Sequence, residues 1–226
     1  MTFRSLSMRL LALLLLALQA GCATPESAAS NTEDIAAATR VSLAHFAASR
    51  GMQPALLVVP EASAVIIFPH VVSAAFVVGG SEAEGLLFVR DRDTCHWVGP
   101  VFYSLSQGSI GFQAGLSKAE LLIVVNSPAA LRSIAKGHPR LGIDVSVALG
   151  GGGSASSAIT ADIDSYALEK GLFAGIALDG STLRIRPDLN AAWYGRPVTL
   201  DDIVVSRVVS SPDAGRLAAA VEALAP

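Results

Sequence analysis

Short runs of β-branched and aliphatic residues, separated by Gly, Pro, Asp or Ser, fill most of the chain from Ala64 onward. The runs are AVIIF, AAFVVGG, GLLFVRD, LLIVV, GIDVSVALG, GLFAGIAL and TLRIR. Apolar runs of this length between turn-forming residues are typical of β-strands. Because few helical segments interrupt them, they predict a mostly antiparallel sheet rather than alternating strands and helices.

Glycines recur inside and between these runs, in segments such as QGSIGFQAG, LGGGGS and KGLFAG. A glycine within a strand marks a bulge, a sharp bend or the close approach of another backbone. The pattern therefore predicts a strongly curved sheet that could close on itself like a barrel. Asp179-Gly180, between LFAGIAL and TLRI, predicts a tight hairpin turn.

Helical segments lie at the two ends of the chain and at one point within it. The longest predicted helix spans residues 32–50, with Asn31 or Thr32 as its cap and Gly51 as its end. Its apolar side is narrow, so we expect it to pack on the sheet rather than on a membrane. That side consists of Ile35, Thr39, Ser42, Leu43 and Phe46. Shorter helices are predicted over 54–59, 128–135, 187–194, 199–204 and 211–224. The fold class is α+β, with an N-terminal helix and a few peripheral helices.

The first 21 residues have the composition of an export signal. Arg4 and Arg9 supply positive charge, and residues 10–18 form a run of Leu and Ala that is too short to span a bilayer. Ala20 and Gly21 are the small residues that a signal peptidase requires before its cleavage site. We therefore predict a signal peptide over residues 1–21.

Cys22 directly follows this segment, which resembles the lipoprotein signals of Gram-negative bacteria. The resemblance implies a diacylglycerol thioether on Cys22, and two acyl chains anchor a protein stably where one does not. One position departs from the pattern, because Gln19 stands where Leu, Val or Ile is usual. An ordinary cleaved signal with a chance cysteine, or an uncleaved anchor, are the alternatives. Ala23 rather than Asp follows the cysteine, so the predicted location is the periplasmic side of the envelope, at the outer membrane.

The remaining chain is predicted to be a short tether over residues 22–31 and a single domain over 32–226, with its core at about 55–205. Removing 21 of the 226 residues leaves 205, which is enough for one sizeable core. The full chain has 16 Lys and Arg against 19 Asp and Glu, and loss of Arg4 and Arg9 lowers the former to 14. A net charge near −5 argues against binding to nucleic acid. If Cys22 carries the lipid, Cys95 is a lone thiol, and an internal disulfide is excluded.

The order of these motifs resembles the SYLF domain, from about Ala55 to Val205. FPHVV, GSIGFQ and KGLFAG are its strongest matches, and NAAWYG at 190–195 fits the closing segment of that family. SYLF domains occur in bacterial lipoproteins and in eukaryotic proteins at actin patches and phosphoinositide-bearing membranes. The resemblance implies binding to acidic phospholipids, such as phosphoinositides or phosphatidic acid, and implies no catalysis.

Two departures limit what the resemblance implies. This chain contains no SH3 or FYVE module, with which eukaryotic members combine the domain. The segment before Lys170 reads SYALE, where the family usually has more hydroxyl and basic residues. Actin, which some eukaryotic members bind, is not an expected partner of a bacterial envelope lipoprotein.

Basic residues are the candidates for contact with lipid headgroups. Arg132, Lys136 and Arg140 fall within nine residues, together with His138, and the first two share a helix face. The predicted headgroup residues are Lys118, Arg132, Lys136, Arg140 and Lys170, with Arg184 and Arg186 as further candidates. A competing interpretation is that these cations only stabilise the end of a solvated helix.

The sequence contains no recognisable motif for catalysis or for a cofactor. The segment QGSIG does not fit the G-x-S-x-G motif of serine hydrolases, and GGGGSASS has no Lys for a phosphate loop. Cys95-His96 lacks the additional ligands of a structural metal site. We predict a non-catalytic protein without a metal or cofactor. The alternative function is a protein-interaction platform in the envelope whose only lipid is the one on Cys22.

Overall fold

The computed structural model describes residues 25–73, 82–106, 117–149, 161–169, 172–174 and 178–224. Within these ranges the α-helices are α1 (Pro25–Ala48), α2 (Gln53–Val58), α3 (Pro128–Ala135), α4 (Pro187–Tyr194), α5 (Leu200–Val204) and α6 (Pro212–Glu222). Short 3-10 turns at Arg50–Met52 and Val59–Glu61 precede and follow α2. The predicted helices after residue 50 are therefore confirmed to within a few residues.

Eight strands form one sheet within the same ranges. They are β1 (Ala64–Ser73), β2 (Glu82–Arg90), β3 (Trp97–Ser106), β4 (Ser117–Val125), β5 (Val147–Leu149), β6 (Ile163–Glu169), β7 (Leu172–Ala174) and β8 (Thr182–Ile185). The order across the sheet is β5-β6-β4-β1-β2-β3-β8, and β7 pairs with the last residues of β6. All pairs are antiparallel except β5 with β6, so the predicted antiparallel sheet is confirmed.

Both faces of the sheet are covered, which explains why its strands are apolar without interruption. In β1, Val65 and Ile67 lie in a core formed with α1, α2 and α6. Ile66 and Phe68 lie on the opposite side, in a core formed with α3 and α5. We refer to these two sides as the α1 face and the α3 face. Alternation along each strand places successive side chains in the two cores.

Helix α1 lies across β1 and β2 and packs against α4 and α6. The side that was predicted to pack on the sheet is buried, since Ile35, Thr39, Ser42, Leu43 and Phe46 are each at most 7% exposed. The predicted start of this helix was wrong, because α1 begins at Pro25. Thr32 lies inside the helix, where its Oγ1 donates a hydrogen bond to the carbonyl of Ala29 at 2.8 Å. The tether predicted over residues 22–31 is therefore helical from Pro25 onward.

A short segment after α3 links the two edges of the sheet. Leu183 N donates to Pro139 O at 3.2 Å and Leu141 N donates to Ser181 O at 2.8 Å, which places residues 139–141 beside β8. Leu141 also forms a bridge with Val145, just before β5. The edge strand β8 is thus connected through this segment to the strand at the other edge. The sheet is therefore curved so that its two edges are connected through this segment, which confirms the predicted curved, barrel-like sheet.

Two local predictions were wrong. The run GIDVSVALG was predicted as a strand, but residues 142–144 form a turn and only Val147–Leu149 are a strand. The turn at Asp179-Gly180 is present, with Ser181 N donating to Leu178 O, but it does not join a hairpin. β7 pairs with β6 and β8 pairs with β3, because each strand finds its apolar partners elsewhere in the sheet. The runs AAFVVGG, QGSIGFQAG and GGGGSASS lie outside the described residues.

Candidate functional site

Helix α3 carries the predicted headgroup residue Arg132, and Lys136 follows the helix directly as its C-terminal cap; both are exposed. Ser127 begins the helix as predicted, since its Oγ accepts a hydrogen bond from Ala130 N at 3.0 Å. Ala130 and Ile134 are buried in the core of the α3 face, which orients the helix. The sequence pattern of a capped, one-sided helix therefore places its basic residues in solvent.

Arg140 follows on the segment that pairs with β8. Pro139 and Leu141 on either side of it are buried, and Arg140 is exposed opposite Thr182. Because side chains alternate along an extended segment, burial of both neighbours directs Arg140 outward. Arg184, two residues further along β8, is also exposed. We call the three predicted residues Arg132, Lys136 and Arg140 the cationic strip.

An exposed isoleucine lies close to Arg140, since Ile143 N donates a hydrogen bond to Arg140 O at 3.2 Å. Ile143 is 65% exposed at the turn between Leu141 and Val145. Asp144 Oδ2 accepts a hydrogen bond from Arg140 N at 2.7 Å, which ties the turn to the strip. Gly142 has φ of +80°, and a Cβ there would come within 2.3 Å of Asp179 Oδ1. The positive φ favours glycine at this position of the turn that precedes Ile143.

The side chains of the cationic strip form no ion pair within the described part of the protein. No described carboxylate forms an ion pair with Arg132, Lys136 or Arg140. Arg186 differs, because it pairs with both Glu84 and Asp188. Its hydrogen bond holds the pKa of Asp188 below the ordinary value, and the same contact raises the pKa of Arg186. Arg186 is thus a structural residue, whereas the strip is available to an external anion.

The other predicted residues are placed differently. Lys118 is exposed at the start of β4, which three strands separate from β8 in the sheet order, so it does not join the cationic strip. It lines a separate groove together with His45, His70 and Glu120. Lys170 and the lipidation candidate Cys22 lie outside the described residues, so their roles stay predictions.

Ile143 is the residue that sequence reasoning missed. Its run was interpreted as a strand, which would have buried it. The signal that could have found it is the glycine directly before it and the aspartate directly after it, a pair typical of turns.

The described residues show neither a metal site nor a membrane-spanning helix. No group of three or more His, Cys, Asp or Glu side chains in them could hold a metal ion. Within the same ranges, no helix is both long and apolar enough to cross a bilayer. His96, next to the exposed thiol of Cys95, instead contacts Glu222 of α6 through Nδ1 at 3.0 Å.

Comparison with known proteins identifies what this fold is related to. Residues 106–224 match the Ysc84 family model, described as Las17-binding protein actin regulator. An SH3 domain-containing protein of Schizosaccharomyces pombe is 32% identical over 63% of this chain and 35% of its own length. Protein YSC84 of Saccharomyces cerevisiae is 30% identical over 80% of this chain and 39% of its own length. The SH3 domain-containing YSC84-like protein 1 of Bos taurus is 31% identical over 59% of this chain and 41% of its own length.

In each case the alignment covers well under two thirds of the relative, so the likeness concerns one part of these longer proteins. The printed names describe SH3-containing and Las17-binding proteins, and none of those named here is the name of an enzyme. The family model covers more than half of the chain and agrees with the motif order from which the resemblance was inferred. The chain belongs to the Ysc84, or SYLF, family.

Proposed function

We propose that this protein is anchored to the cell envelope through a lipid on Cys22 and that its SYLF domain binds acidic phospholipids without catalysing a reaction. Its proposed location is the periplasmic side of the outer membrane. The observation that carries the lipid-binding part is the cationic strip, whose three side chains are exposed and have no ion-pair partner among the described residues.

The strip and the neighbouring isoleucine supply the two interactions that a membrane surface offers. Each Lys or Arg near an anionic bilayer contributes about 1 kcal/mol, so three contribute about 3 kcal/mol. Ile143 can add apolar contact at the headgroup boundary, because it is already 65% exposed in the free protein. These are weak affinities taken separately. A lipid anchor would hold the domain close to the bilayer, where a high effective concentration makes such affinities sufficient.

Vesicle flotation tests this proposal. The chain from Ala23 onward contains every described element and lacks the predicted lipid, so it isolates the contribution of the domain. We expect it to float with vesicles of phosphatidylcholine and phosphatidic acid, to remain behind with phosphatidylcholine alone, and to be released as salt is raised. The combined variant Arg132→Ala, Lys136→Ala, Arg140→Ala should float less.

The matched control removes the same charge elsewhere. Arg50, Arg92 and Arg196 are also exposed and form no ion pair among the described residues, and their combined replacement by Ala should leave flotation unchanged. The proposal would be contradicted if the domain did not bind acidic vesicles at low salt, or if the strip variant and the control variant lost flotation equally. The family description names a protein partner, Las17, for related proteins. Failure of lipid binding would therefore favour the protein-interaction platform as the function of this chain.

A further inference from the structure

A groove of about 590 Å³ lies where α1 ends on the α1 face of the sheet. Its polar lining consists of His45, His70, Lys118 and Glu120, and Ala119 and Leu168 are among its apolar residues. A volume of this size is within the range of small-molecule sites. No residue of the cationic strip lines this groove, so the groove is a separate candidate binding site.

A β-bulge places His70 at this groove. Phe68 pairs with Leu121 and Val71 pairs with Ala119, so Pro69 and His70 together face the single residue Glu120. The extra residue interrupts the ladder between β1 and β4, and bulges of this kind redirect side chains next to functional sites. The bulge lies in FPHVV, one of the motifs that carried the sequence resemblance to the SYLF domain. Its role there is to bring His70 beside Lys118.

The polar groups of the groove divide into one pair and two side chains without partners. Glu120 faces His45, whose Nδ1 lies 2.9 Å from Oε1 and 3.1 Å from Oε2. Lys118 and His70, both exposed, have no hydrogen bond or ion pair within the described part of the chain. The groove thus offers two unused donors, an ammonium and an imidazole N–H, next to a carboxylate that is held by a histidine.

We propose that this groove binds a phosphate headgroup that also carries a hydroxyl, of the glycerol phosphate type, as part of a lipid. Lys118 Nζ and an N–H of His70 donate hydrogen bonds to the phosphate oxygens. Glu120 accepts a hydrogen bond from the headgroup hydroxyl while it remains paired with His45. A phosphate alone would leave this carboxylate as a repulsive neighbour, whereas a hydroxyl converts it into a partner.

The apolar residues of the groove favour a lipid over a free glycerol phosphate. Leu168 and Ala119 offer contact to the glycerol carbons and the first methylenes of an acyl chain. The inference rests on the proposed function in one respect, namely that the domain meets anionic phospholipids. It adds a specific headgroup site to the general attraction of the cationic strip.

Titration calorimetry with a monomeric lipid tests the groove independently of any bilayer. The full chain, purified in an uncharged detergent, is titrated with dihexanoyl phosphatidylglycerol, dihexanoyl phosphatidylcholine and sn-glycerol 3-phosphate. We expect saturable binding of phosphatidylglycerol that is about tenfold or more tighter than binding of the other two compounds. The double variant His70→Ala, Lys118→Ala should weaken binding of phosphatidylglycerol at least about tenfold. Glu120→Gln should reduce the ratio of the affinity for phosphatidylglycerol to that for phosphatidylcholine.

Arg92→Ala is the matched control, because Arg92 is exposed outside this groove. Lys118→Glu provides a second, single substitution at an exposed site should the double variant be unstable. The groove assignment would be overturned if the double variant or Lys118→Glu bound phosphatidylglycerol as tightly as the unaltered chain does. It would also be overturned if the unaltered chain bound the two lipids equally. Glycerol 3-phosphate bound as tightly as the lipid would overturn its assignment to a lipid.

The two proposals fail separately in these experiments. If the unaltered domain does not float with acidic vesicles, while calorimetric binding still depends on His70 and Lys118, the cationic strip is rejected and the groove is retained. Flotation that depends on Arg132, Lys136 and Arg140, with calorimetric binding indifferent to His70 and Lys118, would retain the proposed function and reject the groove.

Discussion

The carboxamide of Asn190 makes two hydrogen bonds with the backbone of Phe102. Its Oδ1 accepts from the N–H of Phe102 at 2.9 Å and its Nδ2 donates to the carbonyl of the same residue at 3.3 Å. Nδ2 also donates to Arg186 O at 2.9 Å. Asn190 is fully buried, so this side chain of α4 satisfies backbone groups of β3 that water cannot reach.

The same helix explains the rest of the NAAWYG motif. The Trp193 ring packs on Phe102, with ring centroids 5.6 Å apart, and Tyr194 donates a hydrogen bond to Pro100 O at 2.8 Å. Gly195 ends α4 with φ of +70°, a conformation that glycine adopts without strain. These contacts of the motif hold α4 against β3.

Replacement of Asn190 should destabilise the fold substantially. Asn190→Ala leaves the buried N–H of Phe102 without its partner, and we expect it to lower the free energy of unfolding by about 1–3 kcal/mol. Chemical denaturation of the unaltered and variant proteins measures this difference. Asn31→Ala, which removes one hydrogen bond to Glu84 at a half-buried site, serves as the control and should cost less than about 1 kcal/mol. Equal losses in the two variants would contradict the role assigned to Asn190.

Cys22 should determine membrane attachment. We expect the full chain to fractionate with the envelope in cells and Cys22→Ser to lose this attachment, because the serine cannot form the thioether. Mass spectrometry of the N-terminal peptide should show a diacylglycerol mass on the cysteine. Cys95→Ser is a matched control, since Cys95 is the other cysteine and is exposed as a free thiol. Retention of Cys22→Ser in the envelope with an unmodified N-terminal peptide would reject the anchor.

Ile143 should contribute to vesicle binding without contributing to stability. Ile143→Ser removes apolar contact with the bilayer, and we expect vesicle affinity to fall by about 1 kcal/mol, or about fivefold. The melting temperature should stay unchanged, because the side chain is largely exposed. Val41→Ser alters a residue of α1 that is 52% exposed and should leave binding unaffected. A vesicle affinity that is the same for Ile143→Ser and the unaltered chain would remove Ile143 from the membrane contact.

Asp162 should make stability depend on pH in acid. Its carboxylate accepts hydrogen bonds from Ser127 Oγ at 2.6 Å and Ser146 Oγ at 2.8 Å, and chiefly the first lowers its pKa below the ordinary value of 3.8. A lowered pKa in the folded state stabilises the protein above pH 3.8, and this contribution is lost as the pH falls through the folded-state value.

Urea denaturation from neutral pH down to about pH 3 measures this contribution. Asp162→Asn should be less stable than the unaltered chain at neutral pH, and the difference should shrink as the pH falls below 3.8. A difference that stays constant with pH would show that the hydrogen bonds, rather than the charge of the carboxylate, account for the effect.

Much of the fold could be predicted because its signals are local. Ser127 and Pro128 begin α3 as expected, and the apolar side of α1 packs on the sheet as expected. The start of α1 at Pro25 was missed, since residues 25–31 are small and polar and carry no apolar period. The pairing of β7 with β6 was missed because Asp179-Gly180 specifies a turn without specifying which strands it joins.

The amino-acid sequence by itself determined the helices after residue 50, the apolar strands, the family and the candidate anchor at Cys22, because periodicity, capping and signal motifs act over a few residues. Only the tertiary structure decided which cations remain available. Arg186 is paired with Glu84, 102 residues away, whereas Arg140 has no ion-pair partner among the described residues. It also separated Lys118 from the cationic strip and placed it beside the bulge at His70. Ion pairing and exposure depend on groups that are distant in the chain, so they are set when the strands take their register.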